Sequence, residues 1–410
     1  MDLKITQARL AGRVGLWDIG IEGDRISAVA PALSTSVATV IDAAQKLVIP
    51  GLVDGHIHLD KALILDRHPA VEGTFQEAMR GTLRLKQTFT EADIQARARQ
   101  VLQRAIAFGI TAMRSHVEVD HTIGLTGLRA LLPLRQEFAW GITLQLAAFA
   151  QEGITNQPGV EALLREAMTL GADVIGSAPY VDPDPEQNIR IVFDIAEAFN
   201  CDVDFHLDFL DDDAPLLWPV VAAETARRGW RGRVCLGHMT KLAGLSPTEL
   251  AEAAAMREAG ISILALPASD LYMMSRKDTH NVRRGVAPVH TLAAMGVNTG
   301  LAVNNIQNLF TPFGDGDVLK IGTLLAQVLQ MGTAQAHELC LDMATTRAAR
   351  AIGIQDQAIA PGHRADLVIL DAASATEAIA APPANRTVLK HGRIVAQTKL
   401  ERQLFCRPSE

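Results

Sequence analysis

The chain has 410 residues, 48% of them apolar but only 4% aromatic, and a formal net charge of −8. That length exceeds one average domain and suits a large core of Ala, Leu, Val and Ile with a smaller unit attached. The acidic balance argues against nucleic acid and anionic membranes as partners, and no apolar run is long enough to span a bilayer.

Residues 1 to 48 alternate in short apolar segments, with Gly23-Asp24 between Ile19-Gly20-Ile21 and Arg25-Ile26, which predicts hairpins. The same texture returns after residue 359, where Pro361-Gly362 leads into Ala365–Leu370 and His391-Gly392 into Arg393-Ile394-Val395. Residues 1–48 and 359–410 are therefore expected to form one small β domain built from both termini, around a middle unit of residues 49–358. A Pro-Gly turn opens that middle unit, and the apolar run after it ends at His56-Ile57-His58. Further strands are predicted over 109–117, 142–149, 174–178, 203–207, 234–236, 261–266 and 297–303. Helical periodicity over 91–107, 160–170 and 246–258 separates several of them. Eight βα units predict a (β/α)8 barrel with its active site at the C-terminal strand ends. The alternative, a doubly wound open sheet, lacks a GxGxxG after its first strand.

His56 and His58 stand at i and i+2, so both imidazoles face one side of a strand end. His206 and His238 end two later strands. Four histidines on one barrel rim are poor core material and good material for a divalent ion, zinc or iron, with an open position for water. Such an ion lowers the pKa of bound water towards neutrality. Cys201, Cys235, Cys340 and Cys406 show no CxxC spacing and read as reduced thiols. With no basic-then-apolar signal at Met1-Asp2-Leu3-Lys4, a cytoplasmic protein is expected.

Several motifs in order carry a resemblance. They are His56-Ile57-His58-Leu59-Asp60, Arg114-Ser115-His116-Val117-Glu118-Val119-Asp120, Phe149-Ala150-Gln151-Glu152-Gly153, His206, His238, Asn304-Asn305-Ile306 and Pro312-Phe313-Gly314-Asp315-Gly316. With them the chain resembles the amidohydrolase superfamily, in the branch of cytosine deaminase and N-isopropylammelide aminohydrolase. The resemblance implies that His56, His58 and His206 ligate the metal and that His238 holds or polarises the hydrolytic water. It implies that Gln151 reads the amide edge of a ring, a task for a group that both donates and accepts. Lys61 follows the strand as in the N-isopropylammelide branch, near the substrate, and Asn305 belongs to the same rim. Phe310 is expected to pack on the ring and Arg284 to reach an acidic substituent.

Two positions depart from the branch. Phe209 stands where cytosine deaminase carries a proton-shuttling glutamate, which argues against cytosine more than against hydrolysis. Asn304 stands where the last strand should end in a metal-ligating, proton-accepting aspartate, and an amide is no general base at neutral pH. Asp208, Asp211, Asp212, Asp213, Asp315 and Asp317 lie nearby, and Asp208, at i+2 from His206, is the first candidate for a replacement base. The expected function is a metal-dependent hydrolase acting on a C–N bond of a small heterocycle such as a pyrimidine or triazine. The alternatives are a catalytically impaired binding protein and a cyclic-amide hydrolase. Members of the branch are often homo-oligomers.

Overall fold

The computed structural model describes residues 1–209 and 211–405, so Cys406 lies outside the described residues. Five strands come first: β1 (Leu3–Leu10), β2 (Trp17–Glu22), β3 (Arg25–Ala30), β4 (Thr39–Asp42) and β5 (Leu47–Pro50). Eight follow: β6 (Leu52–Ile57), β7 (Ile110–Glu118), β8 (Thr143–Ala150), β9 (Val174–Ser177), β10 (Asp202–Leu207), β11 (Val234–His238), β12 (Ser262–Ala265) and β13 (Asn298–Leu301). The last three are β14 (Leu367–Leu370), β15 (Arg386–Lys390) and β16 (Arg393–Thr398).

The terminal strands form one sheet in the order β16-β15-β14-β5-β1-β2-β3, with β4 beside β1. β5 joins the two halves, antiparallel to β14 and parallel to β1. The sheet wraps a core of its own that includes Ile5, Ile19, Ile21, Leu367 and Leu389, as expected for a small sandwich. Both predicted turns are present: Gly23-Asp24 joins β2 to β3, and His391-Gly392 joins β15 to β16. His391 and Gly392 have φ of 51° and 72°, the left-handed pair that two-residue hairpins require. The Lys390 ammonium fastens this sheet to the middle unit, donating to Thr111 O (3.0 Å) and to the Asp366 carboxylate (2.7 Å).

The middle eight strands run parallel in sequence order from β6 to β13, the barrel expected from their spacing. Closure comes from residue 304. Asn304 N–H donates to His56 O (2.8 Å) and Asn304 O accepts from His58 N–H (3.0 Å), forming a parallel bridge between Ile57 and Asn304. Two helices, α1 (Phe75–Lys86) and α2 (Glu91–Phe108), connect β6 to β7, each N-capped by a threonine hydroxyl (Thr74, Thr90). Each predicted strand of the middle unit overlaps an observed one. The helix expected over 246–258 is instead two short helices, Pro247–Glu252 and Ala255–Ala259. Between them Ala253 and Ala254 take i→i−3 hydrogen bonds to Leu250 and Ala251, which tightens the turn and breaks the α-helical ladder. No helix among the described residues is long and apolar enough to cross a membrane.

Candidate active site

The first histidines arrive at the barrel mouth with β6. His56 is its penultimate residue and His58 lies one past its end, both fully buried. His206 projects from β10, and its Nε2 lies 3.0 Å from His56 Nε2 and 3.1 Å from His58 Nε2. Burial, reinforced by the neighbouring rings and, for His56 and His58, by the Lys61 ammonium, holds all three imidazoles well below the usual histidine range. They are therefore neutral at pH 7, the form that donates a lone pair to a metal. His238, at the end of β11, completes the group: His56, His206 and His238 offer nitrogens that all lie within 4.8 Å of one another. His58 joins through His206.

Packing fixes these rings. Phe149 stacks on His206 at 4.3 Å and 17°. The His116 and His56 ring centroids lie 3.9 Å apart, and His116 Nε2 lies 3.2 Å from Asp204 Oδ1, while the Arg114 guanidinium donates to Asp204 Oδ2 at 2.8 Å. Gly237 is required for a different reason, since a Cβ there would come within 2.7 Å of the His56 ring. Side chains at the strand ends are re-aimed by backbone in the left-handed region, at Asp208 (φ 45°), His238 (φ 71°) and Asn304 (φ 68°). Such strain collects at functional sites.

The histidines form one side of a small cavity. Phe75, Tyr180, Phe209 and Phe310 form an aromatic wall, with neighbouring ring centroids 5.7 to 6.5 Å apart. Lys61 enters beside it, with its ammonium 4.6 Å over the Phe310 ring and 3.5 Å from Gln151 Oε1. The buried Glu118 carboxylate pairs one oxygen with Lys61 and the other with Lys86, and Lys86 also holds Asp120 and Glu152. Asn305 lines the cavity, and its Oδ1 accepts from Asn308, whose own Oδ1 receives the N–H groups of Phe310 and Thr311. Asn304 also faces the cavity, and its Oδ1 is buried without a hydrogen-bond partner. That orphan acceptor and the converging neutral nitrogens fit a divalent ion.

Lys61, Gln151, His58, His206, His238, Asn304, Asn305 and Phe310 thus share one cavity, with His56 directly behind it. Two expectations need correction. The Asp208 side chain does not face the cavity, because its positive φ turns it away from the His206 face. Its two oxygens accept from the N–H groups of Leu217 (2.8 Å) and Trp218 (3.2 Å) at the start of the helix Trp218–Arg228. Arg284 is exposed and donates to Val328 O at 2.8 Å, away from the cavity.

The sequence reading missed three residues. Asp270, from the short helix Pro267–Met273 behind β12, bonds His238 Nδ1 at 2.6 Å. Tyr180 completes the aromatic wall, and Glu118 anchors Lys61. The available signal was position, since Asp270 and Tyr180 each follow the end of a predicted strand by a few residues, where rim side chains belong.

The sequence profile of the Amidohydrolase family matches residues 39–396. The N-isopropylammelide isopropyl amidohydrolase of Pseudomonas sp. (strain ADP) is 28% identical over 411 residues, covering 97% of this chain and 98% of its own. The structure of 5-methylcytosine deaminase from Klebsiella pneumoniae superposes with a TM-score of 0.93 at 30% identity, covering 98% of this chain and 99% of that one. That of N-isopropylammelide isopropylaminohydrolase from Burkholderia multivorans ATCC 17616 does so with a TM-score of 0.85 at 29% identity, covering 97% and 99%. The chain belongs to the amidohydrolase family, in the branch of the cytosine-type deaminases and N-isopropylammelide aminohydrolases, and is a metal-dependent hydrolase of non-peptide C–N bonds.

Proposed function

We propose that this hydrolase releases an amine or ammonia from a small, flat nitrogen heterocycle, a pyrimidine or triazine. The observation that carries the reading is the convergence of neutral histidine nitrogens on a cavity with an aromatic wall. Relatives named for N-isopropylammelide and 5-methylcytosine support the ring class. His56, His58 and His206, with the Asn304 amide oxygen as a weak fourth donor, would hold one zinc or iron ion. When bound, the ion supplies Lewis acidity that lowers the pKa of water.

The chain's own residues account for the rest. Phe310 and the aromatic wall accept the ring face, while Gln151 offers both a donor and an acceptor to its amide edge. Lys61, oriented by Glu118, donates to a ring or substituent oxygen. His238 is the cavity group with a carboxylate behind one ring nitrogen, which leaves Nε2 to accept the proton as the water oxygen bonds to the ring carbon. The same proton then goes to the leaving nitrogen as the C–N bond breaks, so His238 ends neutral. Phe209 has no proton to give, which favours rings whose nitrogen is already protonated, as in a lactam.

The test is a screen of aminated pyrimidines and triazines with zinc- or iron-loaded protein, scored by product, with His206→Ala as control. Amine or ammonia release that the control loses is the expected result. A new carboxylate without amine would mean opening of a cyclic amide, and no turnover with either metal would reject the reading.

A further inference from the structure

Asp270 is fully buried, and both of its oxygens are committed. Oδ1 lies 2.6 Å from His238 Nδ1, and Oδ2 accepts the Leu266 N–H at 3.1 Å. The second bond ties the carboxylate to the end of β12, so it cannot swing away from the imidazole. On its other side the His238 ring meets the Phe209 ring at 4.1 Å. His238 is therefore held by a left-handed backbone, an aromatic face and a carboxylate. That is more restraint than a side chain filling space requires.

We propose that Asp270 is a positioning residue for His238: it fixes the ring proton on Nδ1, so that Nε2 enters the cavity as a hydrogen-bond acceptor. A carboxylate on one imidazole nitrogen selects the tautomer at the other. The device matters more in this chain than in one with an aspartate at 304, because the Asn304 amide cannot accept a proton at neutral pH. The assignment rests on the hydrolytic reading only for its consequence, since the tautomer is a property of the folded chain without substrate.

The experiment is 15N NMR of the full-length labelled protein, metal-free and zinc-loaded, with the His238 ring nitrogens assigned by their loss in His238→Gln. The expected result is a protonated Nδ1 and a bare Nε2 in the parent protein. Asp270→Asn should reverse the pair, because an amide N–H pointed at Nδ1 drives the proton to Nε2. With a turned-over heterocycle, kcat should fall by about 10³- to 10⁴-fold, the scale seen when an orienting carboxylate is amidated, while KM holds. A bare Nδ1 in the parent overturns the proposal and needs no variant to fold. Retention of the parent tautomer and kcat in Asp270→Asn also overturns it. If no heterocycle is turned over, the tautomer alone decides, so this proposal and the substrate reading fail by different results.

Discussion

Asn304→Asp tests the metal site and its missing carboxylate together. The position is buried and its Oδ1 has no partner, so in metal-free protein a carboxylate there would be desolvated and unpaired. Asp54, buried in the same barrel, gauges the cost: burial pushes its carboxyl up to about 7, even with the Val303 N–H donating at 3.0 Å. A shift of roughly three units corresponds to about 4 kcal/mol once the group ionises. For a chain of this length that lowers the melting temperature by about 5 °C. The assay is thermal melting of parent and variant at pH 8, first with chelator and then with excess zinc. The variant should melt lower without metal and at least as high with it, because the ion pairs the buried charge. Turnover should rise with it, by about 10²- to 10⁴-fold if the carboxylate serves as base. Equal zinc shifts in the two proteins would refute the placement of residue 304 against the ion.

His206→Ala removes the nitrogen that His56 and His58 both approach, so on the proposed reading elemental analysis should find the bound ion lost, from about one per chain to essentially none. Gly237→Ala drives a methyl into the buried His56 ring, so metal affinity measured by chelator competition should fall about 10- to 100-fold, and overpacking by about 1–3 kcal/mol should lower the melt of the metal-free protein by roughly 1–4 °C. Burial pushes the Asp208 carboxyl up to about 6 against the pull of the Leu217 and Trp218 N–H groups. Between pH 4 and 6 the unfolded chain therefore releases this proton first, and stability falls as pH rises through that window. Urea titrations should show Asp208→Asn losing a pH-dependent contribution of about 3 kcal/mol across it.

The fold was legible because its elements obey simple periods. Buried parallel strands read as apolar runs, and the histidines closing three of them identified the rim. Lys61, Gln151 and Asn305 were legible through the motifs that carry the family resemblance, and Phe310 as an apolar ring in the segment after the last barrel strand; all four line the cavity. Asp208 was misread because the i+2 rule assumes extended backbone, and its φ of 45° ends that assumption one residue past β10. Asp270 was illegible for another reason: it acts on a residue 32 positions away, through a helix whose orientation no local pattern states. Arg284 was assigned by charge alone, and charge does not say where a side chain points.

Residue 304 serves two masters at once. Its main chain is the clasp that shuts the barrel against β6, and its side chain faces the reaction space. The clasp demands a left-handed residue, which glycine, asparagine and aspartate adopt with least strain. Of the three, glycine leaves a hole, so the alphabet open to this position is in effect two letters that differ by one charge and hardly at all in shape. A lineage can therefore trade a carboxylate for an amide here, or back again, without reopening the barrel. At this position the barrel's backbone closure and the reactivity of the site are separately adjustable once an ion pairs the charge, so new chemistry can be explored on an unchanged frame.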